Sequence, residues 1–269
     1  MPRISVIMGV YYTSSQTEDL YRSVRSIQRQ TYPDFEFLIC DDGSSESAAA
    51  LLDGMAERDK RIRLVRRDGA VTLPQKLNAC LAVAGGEYVA RQDADDYSAE
   101  DRFEKQVDYL DRHQAVAFVG SNAKVFCGGK ICGERNFPKE PKKEDFLFRM
   151  PFLHPALMFR RSALSAANGY DESKWTVLCE DYDLLLRLYE KRYSGANLQE
   201  YLFFYQVGDQ DYKKRKYRHR INEAVTRYKR FRSLNMLPRA FPFVVKPLIV
   251  GLLPHKILKL MKNRSQGVK

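Results

Sequence analysis

Seven carboxylates stand where they could do chemistry. Asp41 and Asp42 follow one short apolar run, Asp93, Asp95 and Asp96 follow another, and Glu180 and Asp181 open a helical pattern. Carboxylates gathered at one place repel each other unless something positive lies among them. A divalent cation with oxygen ligands answers that need, and a diphosphate is its natural companion. A lone Asp-x-Asp is common and reads as solvated turn residues. Asp93, Asp95 and Glu104 also imitate a calcium loop, but Ser98 stands where that loop needs glycine and Tyr97 fills a ligand position. A calcium loop is thereby excluded. Glu180 and Asp181 leave two uses open, a general base and a carboxylate favoured by the helix dipole. Neither GxGxxG nor the GxxxxGK phosphate loop occurs, so dinucleotide and P-loop chemistry find no support.

The elements that must position these groups alternate. Apolar runs predict strands at Ile4–Met8, Phe35–Cys40, Ile62–Val65 and Tyr88–Ala90. Helical spacing predicts helices at Thr17–Gln30, Ser47–Arg58 and Leu77–Ala84. Units this short imply parallel strands with crossover helices, an open α/β sheet covered on both faces. Ligands bind beyond the carboxyl ends of such strands. The Asp41–Asp42 and Asp93–Asp96 clusters therefore belong to one edge. After Ser98 the rhythm changes. A helix is expected at Arg102–His113, strand-like pieces at Ala115–Ser121 and Ala123–Phe126, and a turn at Gly128–Gly129. Leu157–Phe159 reads as a strand, Arg161–Ala167 as a short helix and Asp181–Lys191 as an amphipathic helix.

The net charge of +11 is unevenly placed. Residues 213–269 hold 17 Lys and Arg against one acid, Glu223, so that segment carries +16 and residues 1–212 carry −5. A basic tail with interleaved apolar residues fits an anionic membrane surface, as a basic amphipathic helix would, better than nucleic acid. Phe241–Leu253 is broken by Pro242, Lys246 and Pro247 and is too short for a spanning helix. The start shows no signal peptide. Five cysteines without a CxxC pair read as reduced thiols, which implies a cytoplasmic chain.

Taken together, ISVIMGVYY, SIQRQTYPDFEFLICDDGSSE, LNACLAVAGGEYVARQDADD, PFLHPALMFRR, NGYDE and CEDYDLLLRL resemble the inverting family 2 glycosyltransferases of GT-A fold, in family order over residues 3–190. The phrase KPLIVGLLP looks like members that build bacterial capsule or exopolysaccharide repeat units. The resemblance implies a nucleotide-sugar donor, usually linked to UDP, a Mn²⁺ or Mg²⁺ ion, and a glycan acceptor, plausibly lipid-linked, at the inner face of the cell membrane. It implies that Val10 and Tyr11 line the base pocket and that Asp42 holds the base, with Asp41 structural. It gives Asp93 to the ribose or metal shell, Asp95 to the metal and Asp181 to the catalytic base. Inversion is a single displacement, and the chemistry also asks for one base and one centre of charge neutralisation. Glu180 is the reserve for the base.

His154 could approach the diphosphate or sit in a turn or core. Trp175 could stack on an acceptor sugar or simply pack. Lys76 and Arg91 are candidate phosphate contacts, with surface solvation as the alternative. Tyr12 stands where many members of the family carry a small residue, so this loop says nothing about the donor sugar. The expected division is 1–212 catalytic, with a nucleotide half to residue 100 and an acceptor half beyond, then a 213–269 membrane-associating tail. A metal-dependent nucleotidyltransferase and a non-catalytic basic membrane- or nucleic-acid-binding module are the alternatives.

Overall fold

The structure is a computed structural model that describes residues 1–13, 16–67, 71–207 and 216–253. Its first part alternates as expected: β1 (Ile4–Val10), α1 (Glu18–Gln28), β2 (Phe35–Asp41), α2 (Glu46–Arg58), β3 (Ile62–Arg66), α3 (Leu73–Val83) and β4 (Tyr88–Arg91). These strands pair in the order β3-β2-β1-β4, all parallel. Successive side chains of a strand point to opposite faces. Ile4, Val6 and Met8 of β1 accordingly enter one core with Leu20 and Val24 of α1, while Ile7 enters the other with Leu77 and Cys80 of α3. Burial on both faces is why these strands read as continuous apolar runs. Helix α3 begins four residues before the expected Leu77. Thr72 and Gln75 form a reciprocal cap, and Pro74 suits the first turn. Gly86 lets the next turn cross β1 closely, since a Cβ there would lie 2.5 Å from the Ser5 nitrogen.

Beyond β4 the chain forms β5 (Tyr97–Ser98), α4 (Arg102–Arg112), β6 (Val116–Cys127), β7 (Lys130–Arg135), β8 (Met158–Arg160), α5 (Arg161–Ala166), α6 (Glu180–Glu190), β9 (Ser194–Gln206), α7 (Tyr217–Ser233) and α8 (Phe241–Gly251). The sheet continues as β4-β8-β6-β9-β5, with β7 paired to β6. Here parallel and antiparallel pairings mix: β6 runs parallel to β9, but β8 is antiparallel to both β4 and β6. The two strand-like pieces expected between Ala115 and Phe126 are one strand, because register shifts around Asn122 absorb the irregularity.

The expectation of five reduced cysteines is corrected. Cys127 and Cys132 are joined by a disulfide across the β6–β7 turn, with Cα atoms 5.9 Å apart. Hairpin pairing of Cys127 with Lys130 brings the two sulfurs within reach. Cys40, Cys80 and Cys179 are free and buried. The expected break at 212/213 lies outside the described residues. Helix α7 itself packs on α6, and its Phe231 is fully buried in the same core as Leu184 and Leu188. The Phe241–Leu253 run is helical through Gly251: Pro242 sits in the first turn, where no amide is needed, and Pro247 lies within the helix. Among the described residues, no helix is long and apolar enough to cross a membrane.

Candidate active site

The parallel strands bring their carboxyl ends to one edge. β1 ends at Val10, β2 at Asp41 and β4 at Arg91, and the register pairs Val10 with Asp41. Asp42 is 4% exposed. Its backbone N–H donates to the Val10 carbonyl at 3.2 Å, and its Oδ2 accepts from the Val71 N–H at 2.9 Å. Lys76 Nζ lies 3.6 Å from the same oxygen, donates to the Val10 carbonyl at 3.3 Å, and sits 5.4 Å from the centre of the Tyr11 ring. Asp42 Oδ1 is buried and has no hydrogen-bond partner among the described residues. One face of this carboxylate is anchored while the other is left to accept. Asp41 is spent internally, on Arg66 and the Ser44 amide.

The second acid cluster is held by a buried polar network. Gln92 is fully buried; its Nε2 donates to the Asp96 and Asp93 carbonyls at 2.9 and 3.2 Å, and its Oε1 accepts from Ser98 Oγ at 2.8 Å and Arg102 Nη1 at 3.1 Å. Arg102 is also fully buried and donates to the Arg91 carbonyl at 2.9 Å. Burial, helped by the charge of Arg91, holds the Arg102 guanidinium down to about 9. Arg91 has no access to solvent and pairs with Asp93 Oδ1. It therefore aims Asp93 rather than waiting on the surface, contrary to the solvated alternative. The resulting loop brings single oxygens of Asp93, Asp95 and Asp96 within 4.8 Å of one another. Asp95 is exposed, whereas Asp96 is 1% exposed and accepts the Gln206 N–H of β9 at 2.7 Å. Burial first, then the charges of Asp95 and Asp93, push the Asp96 carboxyl well above its usual range. Asp96 Oδ2 is buried without a partner among the described residues. Three carboxylate oxygens this close together, with Arg91 paired to one of the three groups, fit a hard divalent cation.

The third pair opens α6. Glu180 is buried and Asp181 half-buried, and Asp181 Oδ1 accepts the Tyr182 N–H at 2.7 Å. Tyr170 ties this pair to the acids at the sheet edge. Its phenol is fully buried and pushed up, chiefly by burial; Arg91 opposes this, and the charges of Asp93, Asp181 and Glu180 add to it. One buried ring thus lies within electrostatic reach of the Asp93 loop and of the α6 N-terminus. Tyr170 OH also meets His154 Nε2 at 3.0 Å. Burial, then the nearby Arg91 charge, holds His154 well below its ordinary value, so it is neutral here. His154 belongs to the floor beneath the site. Trp175 is exposed on the loop before α6. Its carbonyl accepts from Thr226 Oγ1 at 3.3 Å, and the Lys174 ammonium lies 5.1 Å from its ring centre.

Two residues of the site, Gln92 and Tyr170, escape the sequence, because only tertiary packing turns a glutamine or a tyrosine into a strut. Asp96 was visible in the acidic run. An open cavity of about 620 Å³ lies at the opposite edge, beside Met1, Arg3 and Glu87. Its arginines are engaged: Arg3 by Asp111, Arg160 by the Leu110 carbonyl and Arg161 by the Gly86 carbonyl. The acid-lined edge is therefore the candidate site.

A parallel half-sheet with a buried acid after β2, a carboxylate triad after β4 and a carboxylate pair opening α6 fits a glycosyltransferase of GT-A type. The sequence model of glycosyl transferase family 2 matches residues 5–166, and the chain belongs to that family. It is a glycosyltransferase. EpsE of Bacillus subtilis, which bears the name of a glycosyltransferase, is 33% identical over 99% of this chain and 97% of its own. The amylovoran biosynthesis glycosyltransferase AmsE of Erwinia amylovora is 25% identical over 97% of this chain and 98% of its own. Among solved structures, S. aureus TarS 1–349 with UDP-GlcNAc superposes with a TM-score of 0.71 at 15% identity, over 91% of this chain and 73% of that one. The mannosyltransferase PcManGT of Pyrobaculum calidifontis, with GDP-Man and Mn²⁺, gives 0.63 at 19% identity over 98% of this chain and 80% of that one. At these identities the superpositions establish the GT-A fold. Family membership sets aside the nucleotidyltransferase and the non-catalytic module.

Proposed function

We propose that this glycosyltransferase moves a sugar from a UDP-sugar to a hydroxyl of a growing glycan, by one displacement with inversion. The observation that carries this is the clustering of Asp93, Asp95 and Asp96 at the carboxyl edge of the sheet, with the Glu180–Asp181 pair within electrostatic reach of the same buried Tyr170. Asp95, with Asp93 and Asp96 beside it, would hold a Mn²⁺ or Mg²⁺ ion; Asp93 is also placed to serve the ribose. Such a cation supplies Lewis-acid charge neutralisation at the diphosphate. Asp181 takes the proton of the acceptor hydroxyl as that oxygen attacks the anomeric carbon. Arg91 keeps Asp93 aimed. Asp42 supports uracil as the base. Among the described residues only its buried Oδ1 lacks a hydrogen-bond partner, which would suit the single N3–H of uracil and not the paired N1–H and N2–H donors of guanine. Lys76 beside it would donate to a flanking uracil carbonyl while Tyr11 lines the pocket; Val10, expected there as well, is fully buried in the core behind it. Trp175 offers a stacking face to an acceptor sugar.

The names of AmsE and of the O-antigen glycosyltransferase WbnJ support polysaccharide assembly as the setting. A lipid-linked saccharide acceptor, and a basic 213–269 segment that holds the chain at the inner face of an anionic membrane, complete this reading. Residues 1–100 would serve the donor and 101–212 the acceptor. The test is a panel of nucleotide sugars with Mn²⁺ or Mg²⁺, read by melting temperature and by nucleotide release. UDP-sugars are expected to stabilise the protein and to yield UDP. Preference for GDP-sugars would overturn the base assignment.

A further inference from the structure

Helix α7 buries charged side chains beside Ala224 and Phe231 and turns a second set of apolar ones outward. Its inward side carries Arg227, Arg230 and His219, all buried, together with Glu223. Arg230 Nε meets Asp183 Oδ1 at 2.7 Å and Arg230 Nη1 meets Glu190 at 3.1 Å. Arg227 pairs with Glu223 at 3.2 Å and lies 4.6 Å from the Tyr182 ring centre. The outward side carries Tyr217, Ile221, Val225 and Tyr228, each between 40% and 45% exposed. These positions follow i, i+4, i+8, i+11, one stripe of a helix. Helix α8 repeats the spacing. Phe241, Ile249 and Leu252 are 54% to 74% exposed, with half-buried Val245 between them. The stripes adjoin at one end, since a Cβ added to Gly251 would come within 3.0 Å of the Tyr217 ring. A water-facing helix ordinarily does the reverse, so the outward stripes need a cover.

Charge identifies the cover. The outward charges on α7 are Arg218, Lys229 and Arg232, and Lys246 is exposed on α8. The one acid of this region, Glu223, is turned to Arg220 and Arg227, and no acid follows it anywhere in the sequence. The sequence beyond Leu253 adds Lys256, Lys259, Lys262, Arg264 and Lys269. Aromatic and aliphatic residues among unopposed cations suit an interface of apolar chains and anionic headgroups. We infer that the outward stripes of α7 and α8 lie on an anionic lipid bilayer and that α7 fixes the acceptor loop at that surface. Asn222 Nδ2 donates to the Lys174 carbonyl at 2.9 Å, and Thr226 holds the Trp175 carbonyl. Cys179, which precedes the Glu180–Asp181 pair, meets Thr226 Oγ1 at 3.5 Å. A docked α7 would thereby set the height of the acceptor site above the headgroups. This deepens the membrane reading above and rests on it.

The test compares the full chain with Ile221→Glu/Tyr228→Glu and with Ile249→Glu. Each is sedimented with phosphatidylglycerol-containing vesicles and with pure phosphatidylcholine vesicles, and light scattering records oligomeric state. The substituted positions are exposed, so melting temperature and UDP binding are expected to stay as in the full chain. The full chain is expected to bind the anionic vesicles, and each variant to lose about tenfold or more of that binding. Transfer to a lipid-linked acceptor should fall with it while donor hydrolysis holds. Variants that sediment like the full chain would overturn the face while leaving a membrane role for residues 254–269. A full chain that binds no vesicle overturns both, and a dimer found for the full chain but lost in the variants would make the cover a second copy of the chain.

Discussion

The two halves of the sheet are built to different standards. β3-β2-β1-β4 consists of short parallel strands, of which β2, β1 and β4 are buried on both faces and β2 and β4 lead into acids. β8-β6-β9-β5 mixes directions, and its two longest strands, of 12 and 13 residues, slip register where they pair. The first half fixes its carboxylates through backbone and buried side chains, as Gln92 and Arg102 do for the Asp93 loop. The second half supplies fewer fixed groups: Asp181 at a helix end, Trp175 on an exposed loop. In the function we propose, the donor nucleotide meets the half whose carboxylates are fixed and the acceptor meets the half with fewer fixed groups.

That contrast can be broken at its ends. Asp181→Asn keeps shape but cannot take a proton. Turnover is expected to fall by about 10²–10⁴-fold with donor binding unchanged. Single-turnover rates and a donor titration check this, and wild-type turnover would move the base to Glu180. Arg230→Ala takes the cation from between Asp183 and Glu190 and leaves Asp183 to Arg187 alone. A stability loss of about 1.5–3 kcal/mol is expected, read by denaturant unfolding. A loss near zero would mean that α7 rides on the acceptor half rather than belonging to it. Asp42→Asn should weaken UDP binding by about 1–3 kcal/mol and relax the choice of base, measured by calorimetry with UDP and GDP; unchanged selectivity would remove Asp42 from base recognition.

The smallest effect concerns the floor shared by both halves. His154 takes up a proton in the unfolded chain near pH 6.5, but burial keeps it neutral when folded. Its contribution is therefore complete above pH 6.5 and is lost as pH falls towards the folded value, by up to about 1.4 kcal/mol per pH unit. His154→Gln should flatten that slope in unfolding measured from pH 7 to 5. An unchanged slope would assign it to other groups.

The donor half was legible in sequence because each strand buried on two faces shows as an apolar run, and parallel pairing sends their ends to one edge. Asp42 and Asp93–Asp96 followed from that. β9 was not read. Its thirteen residues, SGANLQEYLFFYQ, carry no steady alternation, and pairing with the distant β6 defines them. Asp181 as a base came from resemblance alone, since nothing local distinguishes it from a helix-end carboxylate. The aromatic and basic spacing of α7 was legible, but not which side faces in. Asp183 and Glu190, on another helix, decide that by drawing Arg230 inward.

The central claim is that the carboxylate triad is where cation and diphosphate meet. UDP titrated into wild type and Asp95→Asn, each with saturating Mn²⁺ and again with excess chelator, tests it directly. The wild type is expected to bind UDP about tenfold or more tightly with Mn²⁺, given the several kcal/mol that such an ion lends to oxygen charge. Asp95→Asn should bind weakly and equally in both conditions with its melting temperature preserved. Equal wild-type affinity in chelator, or undiminished metal dependence in Asp95→Asn, would contradict it.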